Sequence, residues 1–118
     1  MKLLTFDEAV RLHKEMWTAM QKEYGDCPTE DQRKVFKDEY LRDRGYNVND
    51  ETEIVNNCFL CTYVFTMFNG SCRGCPVTWP VTNCWTKVSI REKRIAYFLT
   101  APISEILALP LRDKRPGE

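Results

Sequence analysis

The stretch "NNCFLCTYVFTMFNGSCRGCPVTWP", residues 56–80, holds four of the six cysteines of this 118-residue chain. They form two pairs, Cys58 with Cys61 and Cys72 with Cys75, in the spacing C-x2-C-x10-C-x2-C. Two intervening residues let a tight turn aim both sulfurs of a pair at one ion, and a second pair completes a tetrahedral shell of thiolates. The spacing therefore predicts a metal site around which the fold is organised.

Zinc is the ion that best suits four thiolate ligands with no redox demand, although the same ligands also hold iron. A redox dithiol and unpaired thiols are the remaining alternatives. Because a closed shell leaves no position for an activated water, we expect the Zn²⁺ to be structural. Four thiolates around one divalent ion leave a formal charge of about −2, which neighbouring N–H groups would offset. Arg73 is a candidate donor, with simple solvent exposure as the favoured alternative. Cys84 is expected to be a small buried thiol, with replacement of one ligand as the alternative.

The composition is that of an ordinary globular protein, with 43% hydrophobic and 29% charged residues. A chain of this length normally forms one domain with its own core. We expect a mainly α fold of about four helices around the zinc site, with an α+β arrangement as the alternative. Within the single domain 1–118, residues 1–57 form an acidic helical half, residues 58–85 the zinc-binding cassette and residues 86–118 the C-terminal helices.

The net charge is zero, with 17 basic and 17 acidic residues, so the whole molecule has no long-range attraction to nucleic acid or anionic lipid. The balance hides an asymmetry. Residues 1–57 carry nine Lys or Arg against 13 Asp or Glu, whereas residues 58–118 carry eight against four. The acidic half is therefore either a set of solvated helix faces or a surface that docks on a basic partner.

Neither a secretory signal nor a membrane span is expected. Asp7 and Glu8 interrupt the N-terminus before an apolar core of useful length can form. The longest nearly apolar run, residues 58–68, is far shorter than the roughly 20 residues of a spanning helix. We therefore expect a protein that stays in the cytosol where it is made, where reduced thiols favour metal binding over disulfides.

Two capping boxes predict the N-terminal helices. Thr5 and Glu8 begin the first helix, which Gly25 ends. Its apolar stripe is Phe6, Ala9, Val10, His13, Met16, Trp17, Met20 and Tyr24. Thr29 and Gln32 begin a second helix, from Glu30 to Asp43, which is closed by Gly45. Its narrow apolar edge is Val35, Phe36, Tyr40 and Leu41, and we expect it to lie on the surface.

Residues 46–57 are interpreted as a connector, and Cys61–Phe68 as either a strand or a short buried helix. The capping pattern of residues 89–92 predicts a helix from Ile90 to Leu99. A last short helix follows Pro102 and ends before Pro110, and residues 112–118 are expected to fray.

No catalytic motif is recognisable in the chain. The single histidine, His13, lies on the apolar stripe, which is typical of a core histidine rather than the partner of a catalytic cysteine. Nucleotide-binding, zinc-protease, serine-hydrolase and zinc-deaminase patterns are all missing from the sequence. We therefore expect a protein that is not an enzyme and has no small-molecule substrate.

The cysteine segment resembles a cassette found in small zinc-binding proteins encoded by phages and prophages. Its residues are Cys58-Phe59-Leu60-Cys61, Cys72-Arg73-Gly74-Cys75-Pro76, Trp79-Pro80 and Cys84, matching C-F-x-C and C-x-x-C-P-x-x-W. The match covers about a quarter of the chain. It implies a phage protein in which Cys58, Cys61, Cys72 and Cys75 are structural zinc ligands.

A short phage protein with a metal-stiffened fold is similar in kind to the anti-CRISPR inhibitors, some of which are metalloproteins acting on Cas9. This resemblance implies an inhibitor that docks on the positively charged channel of Cas9 and blocks loading or cleavage of target DNA. The docking residues would be Glu30, Asp31, Asp38, Glu39, Asp50, Glu51 and Glu53, with Tyr40, Tyr46 and Phe36 as aromatic anchors.

The alternative is a zinc-ribbon or zinc-knuckle module that binds nucleic acid or a transcription complex. A basic strip on the predicted C-terminal helix supports it: Lys87, Arg91, Lys93 and Arg94. Aromatic residues for base stacking lie nearby in the sequence: Trp79, Trp85 and Tyr97. Such a strip is more often a solvated helix face.

Overall fold

The computed structural model describes residues 4–44, 59–68, 74–80, 87–90, 93–116 and 118. Within these residues the chain forms five helices and one two-stranded antiparallel sheet. The helices are α1 (Phe6–Tyr24), α2 (Glu30–Asp43), α3 (Phe59–Phe68), α4 (Tyr97–Thr100) and α5 (Ile103–Ala108). The strands are β1 (Lys87–Ile90) and β2 (Lys93–Ala96). The mainly helical class is thus confirmed.

Helix α1 begins and ends at the predicted residues. The Thr5 hydroxyl accepts a hydrogen bond from the Glu8 amide at 3.1 Å, and the Glu8 carboxylate accepts one from the Thr5 amide at 3.2 Å. At the other end, Gly25 has a φ of +80°, a region that side-chain-bearing residues rarely adopt, and its amide donates to the Gln21 carbonyl at 2.7 Å. Local hydrogen bonds therefore set both ends of the helix.

The apolar stripe of α1 is the centre of the core. Its buried residues are Phe6, Ala9, Val10, His13, Met16, Trp17 and Met20. The one predicted member that does not join them is Tyr24, which is 37% exposed at the end of the helix. Helix α1 packs against α2, α3 and α5. The predicted stripe is thus confirmed except at its last position.

Helix α2 begins with the same capping geometry. The Thr29 hydroxyl accepts from the Gln32 amide at 3.1 Å, and the Gln32 side chain accepts from the Thr29 amide at 2.9 Å. The helix runs from Glu30 to Asp43, as predicted. Arg44 forms its C-terminal cap, and the predicted stop residue Gly45 lies outside the described residues.

The buried face of α2 differs from the predicted one. Tyr40 and Leu41 are buried as expected, but the other two buried residues are Arg33 and Lys37. Val35, predicted to lie on the apolar edge, is 51% exposed. The periodicity of apolar residues was therefore a poor guide to the orientation of this helix.

Arg33 explains the orientation of α2. Its side chain donates to three backbone carbonyls, those of Pro28 at 3.2 Å, Phe98 at 3.1 Å and Ala101 at 2.6 Å. Lys37 lies one turn further along, with its ammonium 4.6 Å from the centre of the Phe98 ring. Buried cations of this kind are stabilised by carbonyl oxygens and by the negative faces of aromatic rings.

The predicted helix over 90–99 is wrong at residues 90 and 93–96, which belong to strands, and residues 91 and 92 lie outside the described residues. Strands β1 and β2 form an antiparallel hairpin in which Lys87 pairs with Ala96 and Ile90 with Lys93. Only the short helix α4 remains, beginning at Tyr97. Val88 and Ile90 alternate with Lys87 and Ser89, a period of two that favours a strand and that the capping pattern obscured.

Helix α5 follows Pro102, as predicted, and is fastened to the α1–α2 turn. The Asp26 carboxylate accepts hydrogen bonds from the Ser104 amide and hydroxyl, both at 2.7 Å, and from the Gln21 side chain at 2.9 Å. These bonds hold the pKa of Asp26 below its usual value.

None of the helices in the described part of the chain combines the length and apolar character needed to cross a bilayer.

Candidate metal site and docking surfaces

The segment Cys61–Phe68, for which strand and helix were both open, is helical and belongs to α3. Phe59, Leu60 and Tyr63 are buried, and Tyr63 meets Phe6 of α1 edge to face at a ring separation of 6.0 Å. Cys61 is half-buried in the first turn of α3. Helix α3 therefore anchors Cys61 directly on α1.

Gly74, which precedes Cys75 of the second cysteine pair, packs against the other end of the same helix. Gly74 lies so close to Phe68 that a Cβ atom at this position would overlap the phenyl ring. Cys75 follows and is half-buried. Position 74 thus requires a glycine because the backbone there lies close to Phe68 of α3. This packing constraint is separate from the tight turn that the cysteine spacing predicts.

The C-terminal tail is ordered onto this segment, so the expectation of fraying was wrong. Val77 and Leu111 form an antiparallel bridge. The Thr78 amide donates to the Pro110 carbonyl at 2.8 Å, and the Arg112 amide donates to the Pro76 carbonyl at 2.9 Å. The chain on the C-terminal side of the second pair is therefore held as part of a two-stranded strap.

Arg112 connects this strap to the cysteine turn. Its guanidinium donates to the Gly74 carbonyl at 2.8 Å and binds Glu118 in a two-pronged ion pair with distances of 2.7 and 2.9 Å. The guanidinium also lies 5.1 Å from the Phe6 ring centre. Because Glu118 matches its charge, Arg112 contributes hydrogen bonds rather than net positive charge beside Cys75. Sequence analysis missed this residue because no local pattern links positions 74 and 112.

Two of the four proposed zinc ligands belong to the described residues: Cys61 lies in α3, and Cys75 follows Gly74, which contacts Phe68 of the same helix. The other two, Cys58 and Cys72, lie outside them, as do Cys84 and Arg73. Among the residues that the structure describes, no three His, Cys, Asp or Glu side chains converge to hold a metal. Thiolates belong to the soft donor set that suits Zn²⁺, so the residue types at these two positions fit the ion. The four-cysteine site stays a prediction.

His13 is a core residue, as predicted. It is 2% exposed and lies between Trp17 and Trp79, each with its ring centre 6.4 Å away. Burial, reinforced by the charges of Lys37 and Lys14, lowers the pKa of His13 to about 3 from its usual 6.5. Its Nδ1 atom has no hydrogen-bond partner among the described residues. The imidazole is therefore neutral at physiological pH and has no exposed face for acid–base chemistry.

Trp79, the tryptophan of the cassette motif, couples the cysteine segment to the helical core. Its ring meets His13 of α1 and also Tyr97 of α4, at a ring separation of 6.0 Å. Burial raises the pKa of Tyr97 to about 12, with the neighbouring Glu105 carboxylate adding to the shift. The motif residue is thus part of an aromatic layer between three segments.

The predicted acidic docking residues fall into three groups. Asp31 and Glu39 are exposed on α2. Glu30 and Asp38 are half-buried on the same helix, and Glu30 pairs with Lys34 at 3.2 Å. Outside the described residues lie Asp50, Glu51, Glu53 and Tyr46. Of the proposed aromatic anchors, Tyr40 is only 6% exposed and Phe36 is half-buried, stacked on Tyr40 at 5.9 Å.

The predicted basic strip is carried by the hairpin rather than by a helix. Lys87 is exposed on β1, and Lys93 and Arg94 belong to β2. Arg91 and Trp85 lie outside the described residues. Sequence analysis also missed a basic groove between α1 and the end of α2, lined by Arg11, Lys14, Glu15, Lys22, Tyr40 and Arg44 among others. Its residues are scattered between positions 11 and 44, and only the packing of two helices brings them together.

Comparison with known proteins found no match to any family model, to any curated protein or to any solved structure.

Proposed function

We propose that this protein works by binding a basic protein partner through the outward face of α2, without catalysing a reaction. The observation that carries the proposal is a stripe of Asp31, Val35 and Glu39 at four-residue spacing, which places the three side chains on one helix face. All three are exposed, Val35 by 51%. An apolar side chain between two carboxylates suits an interface with an apolar centre and a charged rim.

The opposite face of α2 supports the same proposal. Arg33, Lys37 and Leu41 are buried, so the helix is held in one orientation against the core. A surface that is already rigid loses little conformational entropy when it binds. The docking face is therefore preorganised, which favours a tight complex from a small contact area.

The class of partner follows from charge and from the resemblance to phage anti-defence proteins. Cas9 has a positively charged channel that must open to admit DNA, and an acidic helix face complements such a surface. A rigid protein docked there excludes target DNA. We therefore propose that the chain is an anti-CRISPR inhibitor of Cas9 that blocks target loading or cleavage.

The test is a Cas9 cleavage assay with zinc-loaded protein, added to the guide-loaded enzyme either before or after target DNA, across a panel of orthologs. We expect inhibition when the protein is added first and none when it is added last. Inhibition in both orders would place the block at cleavage rather than loading. Absence of inhibition across the panel would contradict the Cas9 assignment.

The docking face is tested with Asp31→Lys combined with Glu39→Lys. We expect this double variant to lose inhibition while keeping its helical content and zinc. The matched control is Glu23→Lys with Asp113→Lys, which changes the net charge equally at two other exposed positions. Equal inhibition by the two double variants would move the interface away from α2.

Zinc has a structural part in this proposal. Cys61 and Cys75, together with Cys58 and Cys72, would hold the ion, which supplies a cross-link between the start of α3 and the segment that follows Gly74. We expect Cys61→Ser and Cys75→Ser each to lose bound Zn²⁺ measured by metal analysis. The control is Cys27→Ser, an exposed cysteine in the α1–α2 turn, which should retain it. Metal-free wild-type protein, or equal zinc in all three variants, would contradict the site.

A further inference from the structure

A second surface lies where α1 meets the end of α2. An open groove of about 540 Å³ runs between the two helices. Arg11, Lys14 and Lys22 line it from α1, and Tyr40 and Arg44 line it from α2 and its C-terminal cap. This groove is a different part of the molecular surface from the outward acidic stripe of α2, and it carries the opposite charge.

The charge of the groove is not balanced by its own residues. Among the described residues, Glu15 is the one acid that lines it, and its carboxylate pairs with Arg11 at 3.1 Å. Lys14, Lys22 and Arg44 therefore add net positive charge to the groove. Since α1 rises about 1.5 Å per residue, the cations from Arg11 to Lys22 extend over roughly 16 Å. An extended polyanion matches this row better than a single small anion.

Arg44 gives the groove a flat recognition surface. Its guanidinium carbon lies 3.4 Å from the centre of the Tyr40 ring, and Nη1 donates to the Tyr40 carbonyl at 3.4 Å. Tyr40 is in turn stacked on Phe36, with 28° between the ring planes. Arg44 itself is exposed. A guanidinium held flat over a ring offers its outer face to an unpaired nucleobase.

We propose that this groove binds a short single-stranded nucleic acid, with its phosphates on Arg11, Lys14 and Lys22 and a base stacked on Arg44. The combination of a cationic row with a planar stacking surface is the arrangement that single-strand binders use. An acidic peptide would pair with the cations, but its carboxylates would not stack on the guanidinium of Arg44 as a nucleobase does. The site does not depend on the proposed contact between α2 and a protein partner.

The first test measures binding of a fluorescently labelled single-stranded oligothymidylate over a range of salt concentrations. The logarithm of the wild-type affinity should fall linearly with the logarithm of the salt concentration, because phosphate contacts release counterions. Replacing Lys14→Gln and Lys22→Gln should weaken binding and reduce the slope by about 1.4, at about 0.7 per contact. The charge-matched control, Lys87→Gln with Lys114→Gln, should bind like the wild type. Equal weakening by both double variants would overturn the location of the site.

The second test separates base stacking from charge. Arg44→Lys keeps the charge but loses the plane, so it should weaken binding of the oligothymidylate about tenfold, in the range measured for loss of one base–side-chain stack. Binding of an abasic oligomer of the same length should not change. Unchanged binding of both ligands, or a wild-type protein that binds polyglutamate more tightly than the oligonucleotide, would overturn the proposal.

Discussion

Helices α1 and α2 start in the same way and are buried in different ways. Both begin at a Thr whose hydroxyl accepts a hydrogen bond of 3.1 Å from the residue three positions on. Helix α1 then buries its apolar stripe, with Met16 only 1% exposed. Helix α2 buries Arg33 and Lys37 and leaves Val35 in solvent. The same capping pattern therefore predicts where both helices begin, whereas the buried face of each helix depends on the segments that it packs against.

The largest expected effect that sharpens this contrast comes from Arg33. Arg33→Met should lower the free energy of unfolding by about 3 kcal/mol, because the carbonyls of Phe98 and Ala101 lose a buried donor. Urea unfolding measures the change. Arg42→Met, an exposed arginine on the same helix, is the control and should stay within about 0.5 kcal/mol of the wild type. A similar result for both variants would mean that Arg33 does not orient α2.

The same substitution on the two helices gives the next largest difference. Val10→Ala, on the buried stripe of α1, should destabilise the protein by about 2 kcal/mol through lost apolar burial and a small cavity. Val35→Ala removes the same atoms from an exposed site and should change stability by less than about 0.5 kcal/mol. Thermal and urea unfolding should agree on the order. Equal losses at the two positions would contradict the observed orientation of α2.

The lowered pKa of His13, to which burial and the charge of Lys37 contribute, predicts that the folded protein loses stability in acid. Because the pKa of His13 is lowered to about 3 from 6.5, the unfolded chain binds more protons than the folded one between these values. Stability should therefore fall with decreasing pH, by up to about 1.4 kcal/mol per pH unit. The loss of stability caused by His13 falls mainly between about pH 6 and 4. The contribution of Asp26 is lost at lower pH, because its stabilising ionised form persists until the pH falls below its usual pKa of 3.8.

The pH dependence is measured by urea unfolding of the wild type and of His13→Gln, which should show a flatter profile in this window. Lys37→Met should raise the pKa of His13, followed by NMR titration, because it removes the largest charge contribution to the shift. A profile that stays equally steep without His13 would assign the titration to another group.

The smallest effects should come from the two caps. Thr5→Ala and Thr29→Ala each remove one side-chain acceptor from a helix start and should destabilise the protein by about 1 kcal/mol. The losses should be nearly equal, since both caps make the same pair of hydrogen bonds. Clearly unequal losses would show that the two starts differ despite their matching geometry.

The candidate sites show how far sequence patterns reach. The spacing of Cys61 and Cys75 within two C-x-x-C pairs was visible without a structure, and so was the placement of Asp31 and Glu39 on a helix. The contact of Gly74 with Phe68 and the anchoring of the turn by Arg112 were not. These contacts join segments that carry no shared pattern. The basic groove was hidden for the same reason, because its cations come from two helices.

The hairpin shows a different kind of failure. Val88 and Ile95 form a cross-strand pair, and their residue types favour strands. The S-x-x-E pattern beginning at Ser89 pointed to a helix instead. Both signals are local and they conflict, so the choice between them was made by pairing with a second strand.

By itself the sequence determined where α1, α2 and α5 begin and end, because caps, glycine and proline act on atoms within four or five positions. It also determined the cysteine spacing on which the zinc prediction rests. Only the tertiary structure decided which face of α2 is buried and that the C-terminal tail is ordered. The acceptors of Arg33 on Phe98 and Ala101 lie 65 and 68 positions away in the chain. A helix cannot encode in its own periodicity the partners that distant segments supply.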